Sequence, residues 1–227
     1  MKYFKRIRSD VPVQPLLESV FTVDEAWNLQ TGRQEKVRVQ REAQAIPLRG
    51  LRKSCQLGRA RRDVHESRWT TGSKQFPVLC HMLQSIAEDL DADLGRAKLV
   101  LLPAGRRVYP HIDRGRYYQL HDRYHLVLRS SQGSWLRAGD EEVRMQEGEL
   151  WWFDNRQIHE AHNDGSEDRI HLIFDLLSPA KRAIAREQFL VAQRAAERAS
   201  SRELPPAAAA PLSSGEPAAR ALTALSA

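Results

Sequence analysis

In this 227-residue chain the residues best equipped for chemistry are Pro110-His111-Ile112-Asp113, read together with His159 and Arg169. Side chains two positions apart on an extended strand share a face, so the imidazole of His111 and the carboxylate of Asp113 are expected to point the same way. A third ligand follows 48 residues later, where the aromatic run Trp151-Trp152-Phe153 passes through a polar turn to His159. Two histidines and one carboxylate with open coordination positions form the facial triad of non-heme Fe(II) oxygenases. Ten residues beyond that histidine, Arg169 heads the strand-like run Arg169-Ile170-His171-Leu172-Ile173-Phe174-Asp175, where a guanidinium can hold a carboxylate through a two-pronged pair. His-x-Asp alone is a weak signal that chance readily supplies. A distal histidine and an arginine within one continuous run of strands make it specific. His162 and His171 are left out of the ligand set, because His159 has the better spacing to Arg169.

These residues need strands to position them, and the sequence predicts eight: 98–102, 107–113, 123–128, 134–137, 142–145, 149–153, 159–163 and 169–176. Glycines at 105, 115, 133, 139, 148 and 165 fall in or beside the connections, so the expected fold is mainly β, an antiparallel sandwich or barrel. Arg123, His125 and Val127 share one face of their strand and Arg169, His171 and Ile173 one face of theirs, so each strand can send charged or polar groups into the same cavity. Trp151 and Trp152 cannot both face inward, so one belongs to the core and the other covers an outer face. Ahead of the strands, Phe76, Leu79, Leu83, Ile86, Leu90 and Leu94 recur at helical spacing, with Gly95 as a stop. Residues 1–75 read as an extension of short strands and loops packed on the core, with prolines at 12, 15 and 47 arguing against long helices and a short helix starting within 21–27. The oxygenase core is expected over 76–177. Ser178-Pro179 then opens a C-terminal helix to residue 199, and the Ala/Pro/Ser-rich tail 200–227 is expected to be disordered.

Composition is that of a globular protein, with 41% hydrophobic and 28% charged residues. The basic N-terminus is not followed by an apolar signal-peptide core, and no apolar run is long enough to span a bilayer. Two cysteines, Cys55 and Cys80, support no disulfide framework, and a cytoplasmic location is expected. The net charge of +6 is uneven: residues 1–74 hold 16 Lys and Arg against 8 Asp and Glu. The run from Arg49 to Arg62 contains six cations and no acid before Asp63. No nucleic-acid motif or aromatic interleaving accompanies it, so a solvated face or attraction of a carboxylate-bearing substrate is expected instead of nucleic acid.

The segment from Ala97 to Leu177 resembles the aspartyl/asparaginyl β-hydroxylase family of 2-oxoglutarate-dependent oxygenases. The matching pieces are Leu102-Pro103-Ala104-Gly105, Pro110-His111-Ile112-Asp113, Arg123-Tyr124-His125-Leu126, Gly148-Glu149-Leu150-Trp151-Trp152-Phe153-Asp154, His159-Glu160-Ala161 and the run from Arg169 to Asp175. The resemblance implies a double-stranded β-helix, a cupin-like jelly roll with flanking helices. It implies Fe(II) on His111, Asp113 and His159, and 2-oxoglutarate as cosubstrate with its distal carboxylate on Arg169 and His125 helping to anchor it. Ascorbate is a candidate reductant. Arg123 is left between two roles, binding 2-oxoglutarate or the carboxylate of a substrate amino acid. The animal aspartyl hydroxylase lacks the carboxylate ligand, whereas this chain has Asp113 and so resembles the full-triad bacterial members. The expected activity is hydroxylation of an amino acid, free or as an Asp/Asn-type residue in a peptide. The competing readings are a catalytically silent jelly roll that binds a metal or ligand, and a cupin enzyme that does not use 2-oxoglutarate and would not need Arg169. Oligomeric state is not legible.

Overall fold

The computed structural model describes residues 1–23, 27 and 38–202. Two antiparallel sheets face each other as a jelly roll. The larger has seven strands in the order β1-β9-β6-β11-β4-β2-β3: β1 Phe4–Arg8, β2 Gln44–Leu51, β3 Ser67–Trp69, β4 Asp93–Leu102, β6 His121–Arg129, β9 Leu150–Phe153 and β11 Arg169–Leu177. The smaller has four, β5-β10-β7-β8: β5 Arg106–His111, β7 Ser134–Ala138, β8 Glu141–Val143 and β10 His159–Asn163. The fold is the mainly β jelly roll expected from the strand pattern.

The near-continuous apolar character of β4 and β11 has a simple cause, since the large sheet is covered on both faces. On one face Leu99, Leu126, Leu172 and Phe174 pack with Leu16 and Val20 of helix α1 (Gln14–Phe21) and with Phe76 and with Leu79, Leu83 and Ile86 of helix α2 (Pro77–Asp89). On the other, Val100, Leu102, Val127, Trp151 and Phe153 meet Leu136, Ala138 and Ala161 of the small sheet. Each such side chain contributes roughly 1.5–3 kcal/mol of burial. Trp151 is buried and Trp152 only half-buried, the division that alternation requires.

The N-terminal region differs from expectation. Residues 14–21 are helical although Pro15 lies among them, because proline falls in the first turn, where its missing N–H has no helical partner to lose. The basic N-terminus forms β1, with Phe4 buried opposite Phe153. The helix expected within 21–27 lies largely outside the described residues, as does the tail from 203. Helix α2 also ends earlier than Leu94. Asp91, at a positive φ of 45°, turns the chain, and Leu94 and Gly95 already belong to β4. The connection after β5 contains a short helix, α3 (Arg116–Leu120). The last helix, α4 (Pro179–Arg202), runs past the expected end and is pinned to the body by Lys181 to Asp122 (2.9 Å), Arg182 to Asp93 (2.7 Å) and His65 to Gln188 (3.0 Å). Among the described residues, no helix is long and apolar enough to cross a membrane.

Gly95 is therefore not a helix stop but a site of close approach. A Cβ there would lie 2.6 Å from the Tyr117 hydroxyl oxygen, 2.8 Å from His121 Cδ2 and 2.9 Å from the Asp175 carbonyl. Gly95→Ala should cost about 1–3 kcal/mol by overpacking, seen as a lower urea midpoint; an unchanged midpoint would show that α3 yields to the methyl.

His121, stacked on Tyr117 at 3.9 Å, is buried, and burial lowers its pKa to about 4. The unfolded chain, with an ordinary histidine near 6.5, takes up a proton first, so this contribution to stability is full above pH 6.5 and is lost as pH falls toward 4. Between pH 6.5 and 5 the loss is roughly 2 kcal/mol. Denaturation at several pH values should find that much less acid sensitivity in His121→Gln, and equal sensitivity would refute the assignment.

Candidate metal centre and its cavity

His111 closes β5 and His159 opens β10, and the two are register partners across the strand pair. Their rings come within 4.2 Å between centroids. In each, Nδ1 lies against the carbonyl two residues earlier, Tyr109 O at 2.8 Å and Gln157 O at 3.0 Å. A carbonyl only accepts, so Nδ1 carries the proton and Nε2 keeps its lone pair, the state a metal-binding imidazole needs. Burial lowers both pKa values, that of His159 to about 4, and so favours the neutral ring.

Asp113 reaches the same point by a different route from the one alternation suggests. β5 ends at His111, so Asp113 lies in the turn beyond it, fixed by its N–H to Asn155 O (3.2 Å). Its Oδ2 accepts from Asn155 Nδ2 (3.0 Å) and from Arg123 Nη1. Burial opposes its charge, but the Arg123 guanidinium overrides that and holds the carboxyl well below the usual range. One ligand atom from each of His111, Asp113 and His159 falls within 4.8 Å of the others. Among the described residues this is the one such group, and it contains neither His162, which stacks on Trp135 at 4.1 Å, nor His171. Two neutral imidazoles and one ionised carboxylate fit a divalent first-row metal such as Fe(II).

The triad borders a cavity whose walls include Val100, Val108, Leu136, Phe153 and Ile173. Arg169, His125 and Lys98 also line it. Arg169 is buried, makes no ion pair with any described carboxylate, and has its pKa lowered by burial to about 10. The acids that flank it are engaged elsewhere: Asp168 accepts from Ala104 N (3.2 Å), and Asp175 pairs with Arg123. Arg169 Nε donates to His171 Nε2 at 3.0 Å. Arg169 Nη2 lies 3.2 Å from His171 Nδ1, which is itself 3.2 Å from His125 Nδ1. Burial keeps both histidines neutral.

Arg123, expected to meet a carboxylate of the cosubstrate or the substrate, instead meets two of the protein's own. Besides Asp113 it binds Asp175, its register partner on β11, with Nε to Oδ1 at 2.8 Å. Of the basic run, Arg49 is turned inward to the carbonyls of Gly95 and Ser67 and Arg59 pairs with Glu66, while Arg52, Lys53, Arg61 and Arg62 remain exposed.

The sequence profile described as Aspartyl/Asparaginyl beta-hydroxylase matches residues 30–179. The chain belongs to this family. That makes it a member of a hydroxylase family, and the match extends well upstream of the segment in which the resemblance was legible. No curated protein sequence matches it. Similar solved structures include AviO1 from Streptomyces viridochromogenes Tue57 (14% identity, 78% of this chain and 90% of that one, TM-score 0.47). A Pseudomonas putida prolyl-4-hydroxylase gives 14% identity, 77% and 92% coverage and a TM-score of 0.43. A 2OG-Fe(II) oxygenase-family oxidoreductase from Burkholderia pseudomallei gives 9%, 60% and 67%, and 0.43. At these values no ligand or substrate carries over.

Sequence reasoning missed several residues of this family member's site. Asn155 stands in the polar turn before His159 and was read only as part of that turn, and Lys98 was read as a strand end. Ala43 and Ala45, which also line the cavity, lie in a stretch with little periodicity.

Proposed function

We propose that the chain is an Fe(II)- and 2-oxoglutarate-dependent dioxygenase that hydroxylates an amino acid, free or as an Asp/Asn-type residue in a peptide. The observation that carries this reading is one cavity bordered by a His-Asp-His group and lined by a buried arginine that pairs with no described carboxylate. His111, Asp113 and His159 would hold Fe(II). When bound, Fe(II) with 2-oxoglutarate supplies oxidative decarboxylation to succinate and CO2 coupled to insertion of one oxygen atom.

The rest is the work of this chain's own side chains. Arg169 offers a planar, fixed cation to the distal carboxylate of 2-oxoglutarate, and the neutral imidazole of His125 helps to anchor it. The apolar walls exclude water and confine reactive species. The substrate is read as carboxylate-bearing because the region around the metal group is basic. With Arg123 neutralised by two acids, that character comes from the exposed Arg114 and Arg116 on either side of Gly115. A panel of free amino acids and of Asp- or Asn-containing peptides, scored by mass gain of one oxygen, would identify the class.

Wild-type protein given Fe(II), ascorbate and 2-oxoglutarate should release succinate even without the prime substrate, and His159→Ala should abolish both metal uptake and release. No succinate from a wild type that binds metal would favour the silent module. Arg169→Ala should leave a carboxylate without its buried partner, a cost on the order of 2–5 kcal/mol, and raise the 2-oxoglutarate requirement at least tenfold. An unchanged requirement would point to Arg123 as the anchor instead.

A further inference from the structure

Behind the metal group lies a chain of buried polar contacts that metal binding alone does not require. Arg123 is fixed between two carboxylates, Asp113 on the ligand side and Asp175 on the other. A second Arg123 nitrogen, Nη2, reaches Asp175 Oδ2 at 3.3 Å, and the hydroxyl of Tyr117 donates to the same oxygen at 3.1 Å. Tyr117 is fully buried and its hydroxyl also accepts from Arg96 N at 2.7 Å. The absence of a side chain at Gly95 makes room for that hydroxyl. Asp175 is 2% exposed and Arg123 8%. Burying three charged groups costs several kcal/mol per ion before pairing recovers it, and an apolar trio of similar size would fill the space without that cost.

We propose that Asp175, held by Tyr117, is a positioning residue for the metal ligand Asp113 and acts through Arg123. This rests on the reading that His111, Asp113 and His159 bind a metal. A guanidinium beside a ligand carboxylate competes with the metal for it. Asp175 takes two of the Arg123 nitrogens, so Arg123 reaches Asp113 through Nη1 alone and, with Asn155, occupies only Oδ2. Oδ1 is left to the metal. The trio Asp113-Arg123-Asp175 then carries a net charge of −1 toward a dication. Replacing Asp175 with a neutral residue brings the trio to zero and frees Arg123 to form a two-pronged pair with Asp113, which draws Oδ1 away.

The test is anaerobic titration of metal-free protein with Co(II), which reports affinity and, through its visible absorption, the ligand set, without turnover. Asp175→Asn, isosteric and still able to hydrogen-bond, should remain folded by circular dichroism, bind Co(II) at least tenfold more weakly, and show an altered band, a loss in keeping with that seen for second-sphere partners of ligands. Tyr117→Phe preserves every charge and should weaken binding in the same direction by a smaller factor. It carries the test if Asp175→Asn does not fold. A purely structural role would leave affinity and spectrum of the folded variants unchanged, and that result overturns the proposal while leaving the metal site intact. A wild type that takes up no Co(II) removes the metal site and the proposal together.

Discussion

The register between β6 and β11 sets Arg123 opposite Asp175, and much of the site depends on that one cross-strand ion pair. A cation buried between two sheets is costly unless it is paired, and this one is paired twice, once within the large sheet and once across to the turn that carries Asp113. That second contact ties the end of β5, in the small sheet, to the large one. The positions of His111 and His159 follow from ordinary ladder pairing. Asp113 lies beyond the ladder, so it needs Arg123 and Asn155 to hold it.

Covering the large sheet on both faces lets it serve two purposes. The face under α1 and α2 is wholly apolar and gives the sheet its stability, since each well-packed Leu or Phe there exceeds what a surface ion pair contributes. The opposite face can then afford arginines and histidines among its apolar side chains. Along β11 the alternation is strict: Ile170, Leu172 and Phe174 face the helices, while Arg169, His171 and Asp175 face the other sheet.

This double burial also explains what was legible in the sequence. His111, His159 and Arg169 stood out because polar groups interrupt apolar strands at fixed phase, and phase survives folding; Asp113 stood out by the same rule although it lies in the turn beyond β5. The division of Trp151 and Trp152 followed from the same rule. The strand ends did not follow, since the turn at Asp91 and the stop of β5 at His111 depend on backbone conformation and on partners distant in sequence. α1 was hidden by a proline whose effect depends on its place in the helix. β1 was hidden by its lysine and arginines, among which Phe4 alone is fully buried. The role of Arg123 was illegible for a different reason. Which carboxylate a buried arginine meets is set by three-dimensional pairing, and Asp175 is 52 residues away.

Two arginines on neighbouring strands of the same sheet thus face one cavity in opposite electrostatic states. Arg123, with two acids in contact, has its protonated form reinforced: burial opposes it, and Asp113 and Asp175 push its pKa well above the ordinary value. Arg169 is buried with no described carboxylate against it, and burial lowers its pKa to about 10. A guanidinium left in that condition is poorly solvated by the protein and gains most from an incoming anion, because the desolvation cost has already been met on folding. The protein stabilises one of the two cations through its own carboxylates, and no described carboxylate does the same for the other. The two side chains thus differ in their partners and not in their burial, which is nearly the same for both, 8% exposed for Arg123 and 5% for Arg169.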